Sequence, residues 1–277
     1  MKTSNKLLII TALILIAIPM VAVVYVSKAE YKDNIGMKDY RQSKLKLSTS
    51  TEGFETINFT RDFNSIVVSN GGYILLELVK DKEFGVKISN ENRKLADIEV
   101  SASGELMIKF DADPNKKWGY KTIIIYAPDF SKLNLAKTDD VIIDGNLQTL
   151  NINATHVRNI RLNKTAIVDH MKIEADSVTG IELEGARINN FDVTLNYGNL
   201  NSLDVAYDHL TVHASGKSGV GIIQSEKNKS SINSLSIHTS GQNSITLTNL
   251  KIDTLTGSLS EQTEISMPMM YIKQLLK

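Results

Sequence analysis

From about residue 56 onward, apolar positions recur with a period of two, the alternation of a strand with one buried face. Ile57 and Phe59 alternate with Asn58 and Thr60. The apolar run 66–68 is followed by Asn70-Gly71-Gly72 and a second apolar run over 73–79, which predicts two strands joined as a hairpin or by another tight connection. Further strands are predicted over 84–88, 98–100, 106–110 and 123–126, punctuated by Gly85, Gly104 and Asp113-Pro114-Asn115. No stretch between 56 and 130 carries a 3.6-residue apolar stripe, so this part is read as β throughout.

Between 130 and 260 the pattern becomes a repeat. Apolar-x-apolar triplets recur, among them Leu150-Asn151-Ile152, Ile160-Arg161-Leu162, Met171-Lys172-Ile173, Ile181-Glu182-Leu183, Phe191-Asp192-Val193 and Leu203-Asp204-Val205. Taken alternately they give a repeat of about 20 residues with two short strands each, the mark of a solenoid. Each triplet turns two apolar side chains to one face and a polar one to the other. A three-residue strand is unstable alone but gains ladder partners when stacked on its neighbours. Residues 129–267 contain no Pro, which would delete a ladder hydrogen bond. A leucine-rich repeat would need a longer consensus and a helical return, and a β-sandwich would not need the fixed period.

The N-terminus is different. Residues 7–26 form 20 positions without a charge, preceded by Lys2 and Lys6. As a helix they would span about 30 Å, the hydrocarbon thickness of a bilayer. Ser27-Lys28-Ala29 also fits a signal-peptidase site, so an uncleaved anchor and a cleaved signal peptide both remain open. Residues 27–50 hold six Lys/Arg against three acids, which weakens the orientation rule; export of the C-terminal part is the reading adopted. The expected organisation is a transmembrane anchor or signal over 1–27, a polar linker over 28–53, a β-solenoid over 54–266 and a C-terminal capping segment over 267–277. The last is Met-rich and breaks the triplet pattern after Pro268.

The stretch Arg61-Asp62-Phe63-Asn64-Ser65-Ile66-Val67-Val68, then Gly72-Tyr73-Ile74-Leu75-Leu76 and Gly104-Glu105-Leu106-Met107-Ile108, resembles a known family. The resemblance is clearest at Ile123-Ile124-Ile125-Tyr126-Ala127-Pro128-Asp129-Phe130-Ser131-Lys132-Leu133-Asn134-Leu135. The family is the auto-transporter adhesin head GIN domain of bacterial surface proteins, and the likeness covers about 60–260. After Leu135 the chain has Ala136-Lys137-Thr138-Asp139-Asp140 where the family has a small Ser/Gly-rich turn, which puts the first corner in question. The resemblance implies a single-stranded β-helix outside the cytoplasm with an adhesive or structural role, and it supplies no catalytic residues.

Composition narrows the function classes. The 277 residues carry 31 basic and 31 acidic side chains, which argues against a general nucleic-acid binder. With no Cys there is no disulfide, thiolate metal site or Cys nucleophile. The 23 Asn suit tight corners. His209 and His213 share an outward strand face but stand about 13 Å apart by strand rise, too far for one zinc. His156, His170 and His238 are read as isolated. Asp139-Asp140 and the outward acids Glu182, Asp192 and Asp204 suggest a carboxylate ladder of the kind β-helical glycan-cleaving enzymes use. Arg161 and Lys172 are placed on the same series and would partly neutralise it; such pairs arise by chance on any solenoid, and the acids are read as a solvated face. Gly216-Lys217-Ser218-Gly219 lacks the first Gly of a phosphate loop and is read as a turn. The Asn-x-Ser/Thr matches at Asn58, Asn153, Asn163 and Asn228 are those an Asn-rich chain produces by chance.

The expected fold is all-β: a single-stranded parallel β-helix, taken as right-handed, preceded by an N-terminal transmembrane helix. The expected function is a membrane-anchored, extracytoplasmic solenoid with an adhesive, binding or structural role and no catalysis. No catalytic, cofactor or metal residues are assigned. The partners expected are the membrane through residues 7–26 and a protein or glycan ligand on the solenoid face, with no nucleic acid. The alternatives are a β-helical carbohydrate-active enzyme and a surface scaffold that self-associates through its solenoid ends.

Overall fold

The computed structural model describes residues 46–111, 120–227 and 231–275. The apolar segment 7–26 and Asp113-Pro114-Asn115 therefore lie outside the described residues. Among the described residues no helix is long and apolar enough to cross a membrane. The chain divides into two units, Met1–Thr49 and Ser50–Lys277; the architecture below is that of the second.

The second unit is all-β, with nineteen strands in one hydrogen-bonded sheet among the described residues. The first seven are β1 (Phe54–Phe59), β2 (Ser65–Ser69), β3 (Tyr73–Lys80), β4 (Phe84–Ser89), β5 (Ala96–Val100), β6 (Glu105–Phe110) and β7 (Lys121–Ala127). A single helical turn, α1 (Asn90–Arg93), interrupts them, so this region is not β throughout as its periodicity predicts. Four residues are too few to show a 3.6-residue stripe. Two long strands follow, β8 (Lys132–Asp144) and β9 (Asn146–Leu162), then β10 (Ile167–Asp176), β11 (Gly180–Glu184), β12 (Arg187–Asn196), β13 (Asn199–Leu203) and β14 (Ala206–Ser215). The chain ends with β15 (Gly219–Ile223), β16 (Ser231–Thr239), β17 (Ser244–Thr248), β18 (Lys251–Ser258), β19 (Glu264–Ser266) and helix α2 (Met269–Leu275).

From β8 onward the pairing is parallel and splits into two ladders. One runs β8–β9–β10–β12–β14–β16–β18. The other runs β8–β9–β11–β13–β15–β17–β19. Strands β8 and β9 contribute to both. Alternate triplets of the sequence thus belong to different ladders. In the first, Leu133, Ile152, Ile173, Val193, Val212 and Ile237 stand opposite one another in turn, all buried. Burying each such side chain contributes about 1.5–3 kcal/mol. In the first ladder the motif is longer than the triplet: Val168, Met171, Ile173 and Ala175 are buried while Asp169 and His170 are both exposed. Ile188, Phe191, Val193 and Leu195 repeat it, as do Tyr207, Leu210, Val212 and Ala214. The alternation slips by one between the first two apolar positions, which bends the strand.

The Asn70-Gly71-Gly72 connection is a corner and not a hairpin. β2 pairs with β6 and β8, while β3 pairs with β7 and β8, and the two do not pair with each other. The turn chemistry that serves a hairpin serves this corner too, because both need a left-handed residue. Asn70, Lys137, His156, Ser177 and Tyr197 occupy that corner with φ of 50–56°, and Gly216 and Gly241 with 69° and 80°. These positions follow one another in the ladder register. Gly216-Lys217-Ser218-Gly219 is therefore a corner, with the buried Ser218 hydroxyl donating to the Ser215 carbonyl and accepting from the Gly198 N–H.

Asn does more than turn corners. Its amide reaches back one repeat: Asn153 to Asn134, Asn163 to Asp144, Asn189 to Asp169 and Asn196 to Asp176, each 19 or 20 residues away. At the C-terminal end, α2 lies on β18. The Tyr271 hydroxyl donates to the Leu250 carbonyl (2.9 Å) and accepts from the Ile252 N–H (3.0 Å), and Gln274 accepts from the Leu255 N–H.

Two outcomes follow from this packing. At Gly241 an added Cβ would stand 2.9 Å from the Gly216 carbonyl oxygen in a left-handed backbone. Gly241→Ala is expected to cost roughly 1–2 kcal/mol, whereas Ser177→Gly at the same corner is neutral or slightly stabilising, read by thermal melts. Tyr207 is buried and shares a 2.8 Å hydrogen bond with Ser202; burial pushes its phenol well above the ordinary 10. The folded chain thus keeps a proton that the unfolded chain loses, so this contribution is full below pH of about 10 and falls as pH rises beyond it. Between pH 9.5 and 11 the wild type is expected to lose more melting temperature than Tyr207→Phe.

Candidate functional site

The densest polar arrangement among the described residues centres on Asp140. β8 crosses to the second ladder there, and Asp140 stands between Tyr73 of β3 and Asn159 of β9. Its carboxylate is buried. One oxygen accepts from the Asn159 amide at 2.7 Å and the other from the Tyr120 hydroxyl at 3.2 Å. Arg158 and Arg161 stand 3.8 and 3.7 Å from those oxygens. Arg161 bridges onward to Glu182, directly opposite in the next repeat, at 2.6 Å.

Aromatic rings complete the arrangement. The Arg158 guanidinium lies 4.9 Å over the Tyr73 ring, and Tyr73 meets Tyr120 edge-to-face at 5.7 Å. Burial, and then the Asp140 charge, raises the Tyr120 phenol above its ordinary value, so it stays a donor at neutral pH. The hydrogen bond to Glu182 raises the Arg161 guanidinium further. Asp140 accepts two hydrogen bonds beside two guanidinium groups, and Glu182 accepts one from Arg161. What the arrangement offers outward is a fixed set of guanidinium and phenol groups, with Arg158 and Tyr120 partly exposed at 44% and 37%. Such groups suit recognition of a polar ligand.

The structure brings together Asp139-Asp140, Arg161 and Glu182 from the sequence candidates, and separates the others. Asp192 and Lys172 face each other on the first ladder, where Lys172 bonds Glu174 along its own strand at 2.7 Å. Asp204 lies in a corner with φ of 55° and accepts from the Ser225 N–H. Leu203-Asp204-Val205 is thus not a strand triplet. The strand there turns Leu200 and Ser202 inward, and the inward Ser202 is tolerated because Tyr207 bonds it. The expected single series of outward acids and bases is therefore two ladders and a corner.

His209 and His213 are both exposed, as the strand pattern predicts, and His209 bonds Ser234. His238 is not isolated: its ring stacks on that of His213. His156 sits in the left-handed corner and His170 is exposed. Among the described residues no three His, Asp or Glu side chains converge to hold a metal ion.

Tyr73, Tyr120 and Arg158 escaped sequence reasoning because they come from separate segments that only the ladder register joins. So did Lys87, buried on β4, whose ammonium donates to the Thr51 hydroxyl and lies 5.1 Å from the Tyr126 ring centroid. Burial lowers its pKa.

Among solved structures, a "putative adhesin" from Bacteroides fragilis is 15% identical, with 80% of this chain and 95% of that chain covered and a TM-score of 0.39. A "putative lipid binding protein" from Parabacteroides distasonis is 16% identical, covers 78% and 98%, and gives a TM-score of 0.43. A "putative adhesin" from Parabacteroides merdae is 13% identical, covers 77% and 94%, and gives 0.39. No curated protein matches the chain. A protein family described as "Putative auto-transporter adhesin, head GIN domain" matches residues 62–241, well over half of the sequence. The chain belongs to the auto-transporter adhesin head GIN domain family.

Proposed function

We propose that the protein is a non-catalytic binding or adhesive module held outside the cytoplasm on its N-terminal apolar segment. In this reading residues 7–26 engage the membrane and 28–53 form a linker. Residues 54–266 wind as a right-handed single-stranded parallel β-helix, and 267–277 cap its end. The two parallel ladders, with register steps of 19–21 residues and one of 25 in each, support the helical winding. The bonds from Tyr271 and Gln274 to the edge of β18 support the cap. Family membership supports the surface role.

The observation that carries the non-catalytic reading is the state of the outward acids. Three of the five candidates are engaged by a neighbour: Asp140 by Asn159 and Tyr120, Glu182 by Arg161, Asp204 by a backbone N–H. Glycosidic cleavage needs two carboxyl groups facing one bond at about 5–10 Å, one free to donate a proton. The Asp140 arrangement, with its exposed Arg158 and Tyr120, is the ligand-binding surface we assign.

Two experiments test this. Protease added to cells whose outer envelope has been opened, with the cytoplasmic membrane intact, is expected to release the β domain; protection of that domain contradicts the placement outside the cytoplasm, in the periplasm or at the cell surface. The purified full chain is expected to release no sugar from a panel of defined oligosaccharides. Asp140→Asn is expected to lower stability by roughly 1–3 kcal/mol, because Arg158 and Arg161 lose their counter-charge and one of the two donors, Asn159 or Tyr120, loses its acceptor oxygen. Sugar release by the wild type that Asp140→Asn abolishes would overturn the non-catalytic reading.

A further inference from the structure

We propose that a cleft at the start of the β domain binds the pyranose ring of a neutral sugar. The cleft has a volume of about 360 Å³ and opens between the approach to β2, the β5–β6 turn and the exit of β7. Small-molecule sites span about 300–1,000 Å³, so this one suits a single ring. Phe63, Phe84 and Pro128 give it an apolar wall. Phe63 is buried and braces the half-buried Phe84 edge-to-face at 5.3 Å, which holds the Phe84 ring in place. Asp62, Asn64 and Asp129 form an exposed polar rim. The cleft shares no residue with the Asp140 arrangement, and the proposal does not depend on that surface.

Three chain segments are tied together to make the cleft. The Asn64 carbonyl accepts from the Ser131 N–H at 3.0 Å and from the Ser131 hydroxyl at 3.1 Å, which joins the approach to β2 to the exit of β7. The Arg61 guanidinium donates to the Val100 and Ser101 carbonyls at 3.3 and 3.0 Å, which joins the same approach to the β5–β6 turn. Within that turn the Ser101 hydroxyl accepts from the Glu105 N–H at 3.1 Å. The frame and its nearest basic side chain are thus committed. The Asp62, Asn64 and Asp129 side chains, by contrast, make no hydrogen bond or ion pair among the described residues. A fixed cleft with free polar side chains loses little conformational freedom when a ligand enters.

The chemistry of the lining selects a sugar. A pyranose has a face of C–H bonds and a perimeter of hydroxyl groups. The C–H face matches the Phe84 ring beside Pro128, where its burial removes apolar surface from water. The hydroxyls donate to the Asp62 and Asp129 carboxylates, whose charge strengthens such bonds. The Asn64 amide both donates and accepts. Its N–H finds an acceptor in a sugar hydroxyl and none in a simple organic cation. An anionic ligand is disfavoured, because two carboxylates and no basic side chain line the cleft. An entirely apolar ligand would cover both carboxylates without bonding them.

The test uses the purified full chain in micelles of a detergent without a sugar head group. The probes are the methyl glycosides of glucose, galactose and mannose. Saturation-transfer NMR is expected to show transfer from the protein to the ring C–H protons of at least one of them. Asp62→Asn, Asp129→Asn and Asn64→Ala are each expected to weaken that glycoside's binding about tenfold. Phe84→Leu keeps an apolar wall without the ring face and is expected to weaken it about threefold. Asp253→Asn removes an exposed acid on β18 and is expected to leave binding unchanged, which separates contact from net charge. Circular dichroism checks that each variant folds, and the exposed rim substitutions decide the matter if Phe84→Leu does not. Transfer to none of the three glycosides would overturn the proposal. So would binding that no rim substitution weakens, or transfer to tetramethylammonium in place of the sugars.

Discussion

Parallel hydrogen bonding between successive repeats is the constraint on which everything else in this protein depends. A strand of five residues such as β11 or β13 has no partner within its own repeat and too little apolar surface to persist alone. It exists because the strand before and the strand after accept and donate along both edges. That requires each strand to fall in register with its ladder neighbours, so the distance from one apolar residue to its successor is held near 20 positions. The inward side chains then stack as continuous columns, and a change in one repeat is felt by two neighbours and few others.

The corners obey the same constraint. A left-handed residue recurs at one corner in seven successive repeats, although only two of the seven are Gly. An isolated Lys, Ser or Tyr in that conformation costs about 1–2 kcal/mol, so the column is maintained by the ladders on either side of it. Asn bridges between repeats use the same register on the outer surface, donating to an acceptor one repeat back. The high Asn content and the scarcity of Pro thus have one origin. The Asp140 arrangement is a local elaboration of it, built where β8 passes from one ladder to the other and where Tyr73, Asn159 and Glu182 fall in adjacent rows.

What could be read from the sequence was what is local and periodic. The triplets around Ile152, Ile173 and Val193 announce inward pairs because strand geometry alternates side chains. The two-strand repeat follows from their spacing. The corner at Asn70-Gly71-Gly72 was legible as a turn but not as a corner, because its strands choose partners tens of residues away. The triplet Leu203-Asp204-Val205 misleads because its apolar residues are not both inward. The true inward pair includes Ser202, made acceptable by a hydroxyl from Tyr207 that no local pattern reveals. The stacking of His213 on His238 was hidden by the extra residues of that repeat, which shift the register to 25.

Because the chain lacks Cys, its register can be read by paired substitutions to Cys. Asp192 of β12 and Thr211 of β14 stand opposite each other, so their Cα atoms are expected about 4.8 Å apart, within the range a disulfide spans. Asp192 and His213 are offset by two residues, and their Cα atoms are expected about 8 Å apart, beyond that range. Oxidation of the full chain is predicted to join the first pair rapidly and completely while leaving the second pair as free thiols. Efficient joining of the second pair, or none of the first, would contradict the register from which the whole account is built.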